Sequence, residues 1–384
     1  MIPRGSWQRA AMNGGVCILC PMRVLYDGIA FENGHQRGVQ RAFRELIERL
    51  PEAVEPSMTL LGRARADLPS GVPVIRVGMP VPRALPRKLR KIVHPMLARP
   101  GQRRAQSGCD VFHSTYDTLP ICPMPTVHTV HDLVLERFSE FCSGRARTEL
   151  FEHRRRVMDA ATRVIAISES TAAELARFYP GCEDKTRVVH WGWEHLRRAE
   201  APKGESPQEP YAMVVGDRTQ YKNFRVVLDA MDEKAWPDGV GLVVVGPAWR
   251  ATEGFRVELL SKRHKVRHAG RVSDEELARL YSGASCVISA SLMEGFGFPV
   301  LEAQAAGTPL VCSDITVNHE VAGDGAVRFD PGRPDQLAAR VGEVQGRGVR
   351  AGLIEAGRAN LARFSWDRCI AETVAVYEEA VTHG

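Results

Sequence analysis

The chain alternates short apolar, β-branched runs with longer stretches whose apolar residues recur at helical spacing. This alternation is typical of parallel α/β layers, in which helices cover the faces of a sheet. In the first half it predicts strands over 23–26, 74–77, 111–113, 126–130, 163–167 and 187–190. In the second half it predicts strands over 211–215, 241–245, 266–269, 286–290, 310–312 and 326–329.

Helices are predicted where apolar residues return every three or four positions. Over 39–50, the apolar stripe consists of Phe43, Leu46, Ile47 and Leu50. Another helix is predicted over 171–178, because a Ser/Thr cap precedes its apolar positions.

A polar segment separates two halves of similar pattern. Residues 198–210 contain Glu, Pro, Lys, Gly and Ser with almost no apolar side chain, which is typical of a linker. We therefore predict an N-terminal domain over 22–197 and a C-terminal domain over 211–365, whose carboxyl edges face across a cleft. Residues 1–21 are predicted to be a disordered lead or an alternative start, since the first strand follows naturally after Met22.

Composition places the chain among ordinary globular proteins, with 44% apolar and 25% charged residues over 384 positions. Nine scattered cysteines, an odd number, favour a reducing cytoplasm over a disulfide framework. No apolar run reaches the roughly 20 residues that a bilayer-spanning helix needs. Cys17 and Cys20 form a Cys-x-x-Cys with no second pair at zinc spacing, so no metal site is predicted.

The modest net charge of +5 is unevenly distributed. No acidic residue stands between Asp67 and Asp110, whereas the stretch 76–104 contains nine Arg and Lys residues. Two interpretations stay open: peripheral contact with an anionic membrane surface, or a solvated arginine-rich helix. Nucleic-acid binding is not predicted, because aromatic residues are not interleaved with the basic ones.

The most informative segment places two glutamates around a glycine turn and a proline. It reads Glu294-Gly295-Phe296-Gly297-Phe298-Pro299-Val300-Leu301-Glu302. A buried strand precedes it and a helix is predicted over 301–306, with the proline at the first helical position. This arrangement directs free backbone amides and the positive end of a helix dipole to the carboxyl edge of a sheet, where anionic nucleotides bind. Glu294 is predicted in the turn and Glu302 in the first helical turn, so the two acids can reach different parts of one extended ligand.

This segment, continued to Asp314, resembles the signature of the retaining glycosyltransferases of family 4, which have the GT-B fold of two Rossmann-like domains. Four more segments match that family in the same order: 22–28 at the first strand, 129–133 at the His-Asp loop, 166–171 at a strand end and helix start, and 215–223 at the phosphate-binding turn. The resemblance covers nearly the whole chain from Met22. It also implies that a C-terminal helix over 366–384 crosses back onto the first domain.

The resemblance implies roles for the matching residues. The donor diphosphate would be bound by Arg218, Lys222 and the backbone amides of Val300 and Leu301. The ribose would lie on Glu302 and the nucleobase on the loop Arg271-Val272. The transferred sugar would lie beside the turn Gly295, Phe296, Gly297 and Phe298, with Glu294 and His131 as catalytic residues. The acceptor-side loop would include Arg37 and Gly38.

Elementary charge chemistry agrees with the diphosphate role. Negative charge builds on the leaving phosphate oxygens as the sugar–phosphate bond breaks, so the site needs fixed positive groups there. Arg218 offers a planar fork and Lys222 a point charge, just after a predicted strand. The chain departs from the family pattern at Tyr221, where a common version has Arg, and at Arg37, where many relatives have glycine.

These features predict a retaining, metal-independent hexosyltransferase that moves a hexose from a nucleotide-diphosphate sugar to a hydroxyl acceptor. The acceptor could be a polysaccharide, a lipid-linked sugar or a natural product. No cofactor or metal is expected, since the sequence has no Asp-x-Asp, and a cytoplasmic location is expected, with or without attachment to the inner face of the membrane. A catalytically silent GT-B subunit and a sugar-nucleotide epimerase stay open as alternatives. A dinucleotide dehydrogenase is disfavoured because no G-x-G-x-x-G follows a predicted strand.

Overall fold

Two parallel β-sheets form the framework of the protein. The computed structural model describes residues 11–12, 15–16, 21–32, 37–77, 98–138, 140–141, 143–195, 209–249 and 251–384. Most of the predicted linker 198–210 and most of the basic stretch 76–104 lie outside the described residues.

The first sheet contains seven strands and covers every strand predicted in the first half. A short antiparallel pair, β1 (Ala11–Met12) and β2 (Gly15–Val16), precedes it. The sheet strands are β3 (Met22–Asp27), β4 (Val54–Leu60), β5 (Val74–Arg76), β6 (Val111–Ser114), β7 (Thr126–Val130), β8 (Arg163–Ala166) and β9 (Thr186–Val188). Their spatial order is β5-β4-β3-β6-β7-β8-β9. The apolar pattern missed β4, because Glu55, Pro56 and Ser57 interrupt it.

The second sheet contains six strands, all of them predicted. They are β10 (Tyr211–Val215), β11 (Gly241–Val245), β12 (Val266–Gly270), β13 (Cys286–Ser289), β14 (Leu310–Ser313) and β15 (Val327–Phe329). The order is β12-β11-β10-β13-β14-β15, and each neighbouring pair is parallel. All five residues of β11 are buried, as expected for a strand covered on both faces.

Helices alternate with the strands. Those before the second sheet are α1 (Ile29–Glu32), α2 (Arg37–Glu48), α3 (described over 98–106), α4 (Val134–Arg137), α5 (Gly144–Ala160) and α6 (Glu169–Phe178). The others are α7 (Phe224–Ala230), α8 (Ala251–Leu260), α9 (Asp274–Gly283), α10 (Phe298–Ala305), α11 (Thr316–Ala322), α12 (Pro334–Glu343), α13 (Arg347–Leu361) and α14 (Trp366–His383). In the described part of the chain, none of them combines the length and the apolar character required to cross a bilayer.

The chain divides into two compact units. One comprises 1–129, 160–163 and 373–384, as far as these residues are described, and the other comprises 130–159 and 164–372. The second unit has an extensive apolar core in which Ala212, Leu242 and Val244 of the sheet pack with helix residues such as Val227 and Leu337. The domain boundaries given by the sequence stay a prediction.

Within the first unit, buried polar groups join the end of α14 to the sheet. The hydroxyl of Tyr377 lies 2.6 Å from Nδ1 of His113 and 2.7 Å from the hydroxyl of Tyr26. His113 Nε2 lies 2.8 Å from Oγ1 of Thr129. All four side chains are buried. This network is consistent with the predicted C-terminal helix that returns to the first domain.

Replacing Tyr377 with Phe removes one hydroxyl from two buried partners, so it should destabilise the protein. We expect a loss of about 1–3 kcal/mol in the free energy of unfolding, since buried polar groups lose their hydrogen bonds. Urea denaturation followed by circular dichroism measures it. Tyr211→Phe is the matched control, because its half-buried hydroxyl donates to one backbone carbonyl, that of Leu280. A loss no larger than that of the control would show that the network does not hold the helix.

Candidate active site

The glycine turn between β13 and α10 packs directly on the backbone of His131. A Cβ atom added to Gly295 would lie 1.6 Å from the carbonyl oxygen of His131, a distance that no side chain can occupy. The carbonyl of Gly295 accepts hydrogen bonds from the hydroxyls of Ser168 and Thr171 at 2.7 and 3.1 Å. Glycine is therefore required here by the close approach of two backbones.

The helix after this turn begins earlier than the sequence predicted. Gly297 has φ +92 and caps α10, which starts at Phe298 rather than at Leu301, with Pro299 in second position. Glu302 is consequently the fifth residue of the helix and lies in its second turn, not in its first. The amide of Val300 is not free as expected, because it donates to the carbonyl of Gly297 at 2.9 Å.

Lys222 and Glu294 form an ion pair at the carboxyl edge of the second sheet. Lys222 Nζ donates to both carboxylate oxygens of Glu294, at 2.6 and 2.8 Å, and the hydroxyl of Ser291 donates to one of them at 2.6 Å. The side chains of Lys222 and Glu294 are 26% and 13% exposed, so the pair is partly open to solvent. Burial works to lower the pKa of Lys222, but the neighbouring carboxylate outweighs it and the pKa is raised. Lys222 therefore stays protonated.

The topology of the sheet explains why these two side chains meet. β10 and β13 are parallel neighbours, so the segments that follow them lie at the same edge. Lys222 ends the single helical turn Gln220–Lys222 after β10. The amide of Leu292, after β13, donates to the carbonyl of Tyr221 at 2.7 Å. This backbone hydrogen bond fixes one turn against the other.

His131 and Asp132 follow β7 and lie in the same unit as the ion pair. The ring of His131, which is buried, lies 5.7 Å from that of Trp191. Burial raises the pKa of Asp132, and Arg154 opposes that shift. Arg154 also donates to the backbone carbonyl of Asp132 at 3.2 Å and to the carboxylate of Glu136 at 2.6 Å. The charges of Lys222 and Glu294 also act on Asp132, which makes the three residues one electrostatic cluster.

The two phenylalanines of the turn serve its packing. Phe298 stacks on Trp191, with ring centroids 5.0 Å apart and an angle of 13° between the planes. Phe296 meets Trp191 edge-on at 5.8 Å and Phe364 at 5.8 Å. Both phenylalanines are buried. The aromatic residues thus hold the turn that carries Glu294 in place.

Glu302 is buried and already has two side-chain partners. Its Oε1 lies 2.9 Å from Nε2 of His195, and its Oε2 accepts a hydrogen bond from the hydroxyl of Tyr281 at 2.6 Å. Neither partner was predictable from the sequence, since His195 and Tyr281 lie far from Glu302 along the chain.

Arg218 lies in a different environment from the expected one. Its guanidinium group is buried against the Trp249 and Phe224 rings, at 4.9 and 5.6 Å from their centroids. It pairs with Glu253 at 3.1 Å and donates to the carbonyls of Pro247 and Ala248 at 2.5 and 2.7 Å. Arg218 therefore fixes the loop after β11, and its predicted role at the diphosphate stays a prediction.

The predicted nucleobase loop and the predicted acceptor-side loop lie apart from these contacts. Arg271 is exposed and Val272 half-buried, directly after β12, as expected for a loop on which a base could rest. Gly38 is exposed in the first turn of α2. Residues 33–36 and the side chain of Arg37 lie outside the described residues, so the acceptor-side loop stays a prediction.

Two family models match the chain side by side: Glycosyltransferase Family 4 over residues 36–195, and Glycosyl transferases group 1 over residues 197–358. O-antigen chain mannosyltransferase B of Escherichia coli is 26% identical over 281 residues, which cover 70% of this chain and 74% of that protein. Sucrose-phosphate synthase from Thermosynechococcus elongatus is structurally similar, with a TM-score of 0.74 and 18% identity over 94% of this chain and 100% of that one. HepE of Anabaena, in complex with UDP and glucose, gives a TM-score of 0.69 and 17% identity over 92% of this chain and 99% of that one.

The fold and the family matches agree on the class of protein. The chain belongs to the family 4 glycosyltransferases and has the GT-B fold. It is a hexosyltransferase, and this class disfavours the epimerase and silent-subunit alternatives.

Replacing Gly295 with Ala should displace the turn that carries Glu294, because the added methyl group overlaps the carbonyl of His131. We expect sugar transfer to fall by roughly 100-fold, the usual effect of a displacement of about 1 Å in a catalytic group. Gly352→Ala in α13 is the control, since a Cβ there meets nothing within 4 Å among the described residues. That variant should keep its activity and gain up to about 1 kcal/mol of stability. Wild-type turnover of the Gly295 variant would refute the close contact.

The raised pKa of Asp132 predicts a pH-dependent gain of stability on replacement with Asn. The native state holds the Asp132 proton more tightly than the unfolded chain, in which the pKa of this carboxyl group is near 3.8. The stability that this proton contributes is lost as the pH rises through the native pKa. Asp132→Asn should therefore be more stable than wild type at neutral pH, and the difference should shrink in acid. Urea unfolding at several pH values measures it, and a difference that does not depend on pH would contradict the assigned burial.

Proposed function

We propose that the protein is a retaining, metal-independent hexosyltransferase that moves a hexose from a nucleotide-diphosphate sugar to a hydroxyl acceptor. The observation that carries this proposal is the Lys222–Glu294 pair at the carboxyl edge of the second sheet. A cation and an acid stand side by side at the edge where nucleotides bind in open α/β folds. One can serve the diphosphate and the other the sugar next to it.

Lys222 supplies the charge that the leaving group needs. Its raised pKa keeps it protonated, and the turn that carries it is fixed by the hydrogen bond between Leu292 and Tyr221. A preorganised cation stabilises charge that develops in the transition state without reorganising first. We therefore assign the donor diphosphate to Lys222, and we assign Arg218 to the support of the neighbouring loop.

Glu294 is the residue best placed to orient the transferred sugar. It follows Ser291 in a turn whose Gly295 lies against the backbone of His131. This contact fixes the position of Glu294 relative to His131. In the proposed step, the acceptor oxygen forms its bond to the anomeric carbon on the face that the diphosphate leaves. The sugar–phosphate bond breaks, and the acceptor proton passes to the leaving phosphate oxygen.

The nucleoside is assigned to residues of the second sheet other than the Lys222–Glu294 pair. Glu302, in the helix that follows the glycine turn, is assigned to the ribose hydroxyls, and the loop Arg271-Val272 is assigned to the base. A sugar-nucleotide donor is supported by HepE, whose structures include complexes with UDP and with UDP-glucose. Mannose is the first hexose to test, since relatives from Escherichia coli and Mycolicibacterium hassiacum are mannosyltransferases. A cytoplasmic location and an acceptor that is a polysaccharide, a lipid-linked sugar or a natural product complete the proposal.

A panel of nucleotide sugars tests the donor assignment. UDP-glucose, GDP-mannose and dTDP-glucose are added singly, and the unfolding temperature is measured. At about 100 times its Kd, the true donor should add about 2.7 kcal/mol to the stability of the native state. Lys222→Met should reduce that shift, because the diphosphate loses one cation, whereas Lys234→Met, at an exposed position outside the site, should leave it unchanged. No shift with any donor, or equal shifts in both variants, would overturn the proposal.

The donor found in the panel then serves the test of mechanism. Transfer is followed by NMR in the presence and absence of EDTA, with an acceptor of each proposed class. We expect equal rates in both conditions and a product with the anomeric configuration of the donor. Loss of activity with EDTA would remove the metal-independent assignment, and an inverted product would remove the retaining one.

A further inference from the structure

The cation assigned to the diphosphate is already paired in this structure. Both oxygens of Glu294 accept hydrogen bonds from Lys222 Nζ, at 2.6 and 2.8 Å. The hydroxyl of Ser291 adds a third hydrogen bond at 2.6 Å and keeps the carboxylate turned toward the lysine. A diphosphate that binds Lys222 must therefore compete with a carboxylate that is held in place.

We propose that Glu294 is the internal counter-ion of Lys222 and that the donor diphosphate displaces it. This inference rests on the proposed function. The diphosphate carries more negative charge than a single carboxylate, so it replaces Glu294 as the partner of Lys222 when it binds. Glu294 then loses its cation, and its oxygens become available to the hydroxyls of the sugar next to the diphosphate. Binding of the phosphates thus prepares the acid that orients the sugar.

The environment of the pair makes this competition measurable. The two side chains are 26% and 13% exposed, so salt screens their attraction less than it would screen a surface pair. The backbone hydrogen bond from Leu292 to Tyr221 keeps the two turns together. The lysine therefore remains beside the carboxylate unless another anion takes it.

Glu294→Gln tests the proposal, because the amide has the shape of the carboxylate but no charge with which to hold Lys222. If Glu294 competes with the diphosphate, the variant should bind the free nucleoside diphosphate more tightly. We expect the Kd to fall by roughly two- to fivefold, the range for an ion pair that is partly exposed. Isothermal titration calorimetry with UDP, or with GDP if the wild type prefers it, measures the change. Unchanged or weaker binding would overturn the proposal, since a residue that only contacts the donor gives that result.

A double-mutant cycle separates competition for Lys222 from general repulsion of the diphosphate. In the Lys222→Met background the carboxylate has no lysine to occupy, so adding Glu294→Gln should leave the Kd unchanged. An equal tightening in both backgrounds would mean that Glu294 merely repels the phosphates, and the proposal would fall. Glu343→Gln removes one negative charge from an exposed pair with Arg340. It should change the Kd for the nucleoside diphosphate neither in the wild type nor in the Lys222→Met variant. Thermal unfolding confirms that each variant is folded.

The two failures are distinguishable. If the wild type binds no nucleoside diphosphate, the proposed function fails and this inference with it. If the wild type binds one and Lys222→Met weakens that binding, the function stands. The counter-ion role then depends only on the sign of the Glu294→Gln effect and on its disappearance in the double variant.

Discussion

The site depends on one electrostatic contact, between Lys222 of the turn after β10 and Glu294 of the turn after β13. The strands are parallel neighbours, and a backbone hydrogen bond from Leu292 to Tyr221 ties the two turns. In this ion pair the positive charge of Lys222 and the negative charge of Glu294 compensate each other. The contact also keeps both groups at the edge of the sheet, ready for a ligand that carries phosphates and hydroxyls side by side.

A second constraint is steric, and it fixes the position of this ion pair relative to the loop that contains His131. Gly295 touches the backbone of His131 so closely that no side chain fits between them, and Ser168 and Thr171 hold its carbonyl. Stacking of Phe298 on Trp191 covers the same turn. Residues from several separate segments therefore meet at one short turn. A small change there moves the acid, the lysine and the imidazole relative to one another.

The sequence predicted most of the strands, because buried parallel strands are short apolar runs that can be recognised locally. Strand β4 was not predicted, because Glu55 and Pro56 interrupt its apolar pattern. Helix α10 was predicted to begin three residues too late, because Gly297 was not recognised as its N-terminal cap. The glutamate turn and Lys222 were found from spacing and family resemblance. Contacts between distant segments were not predictable: Arg218 with Glu253, or Glu302 with His195, depend on how the chain folds back on itself. Ser168 and Thr171 lay inside a recognised motif, yet their role was visible only once Gly295 was placed beside them.

The most direct measurement is a crystal structure of the enzyme with its nucleoside diphosphate. We expect Lys222 Nζ at hydrogen-bonding distance from a phosphate oxygen, with Glu294 no longer bound to it through both oxygens. A diphosphate bound elsewhere, with the Lys222–Glu294 pair intact, would show that this edge of the sheet is not the donor site.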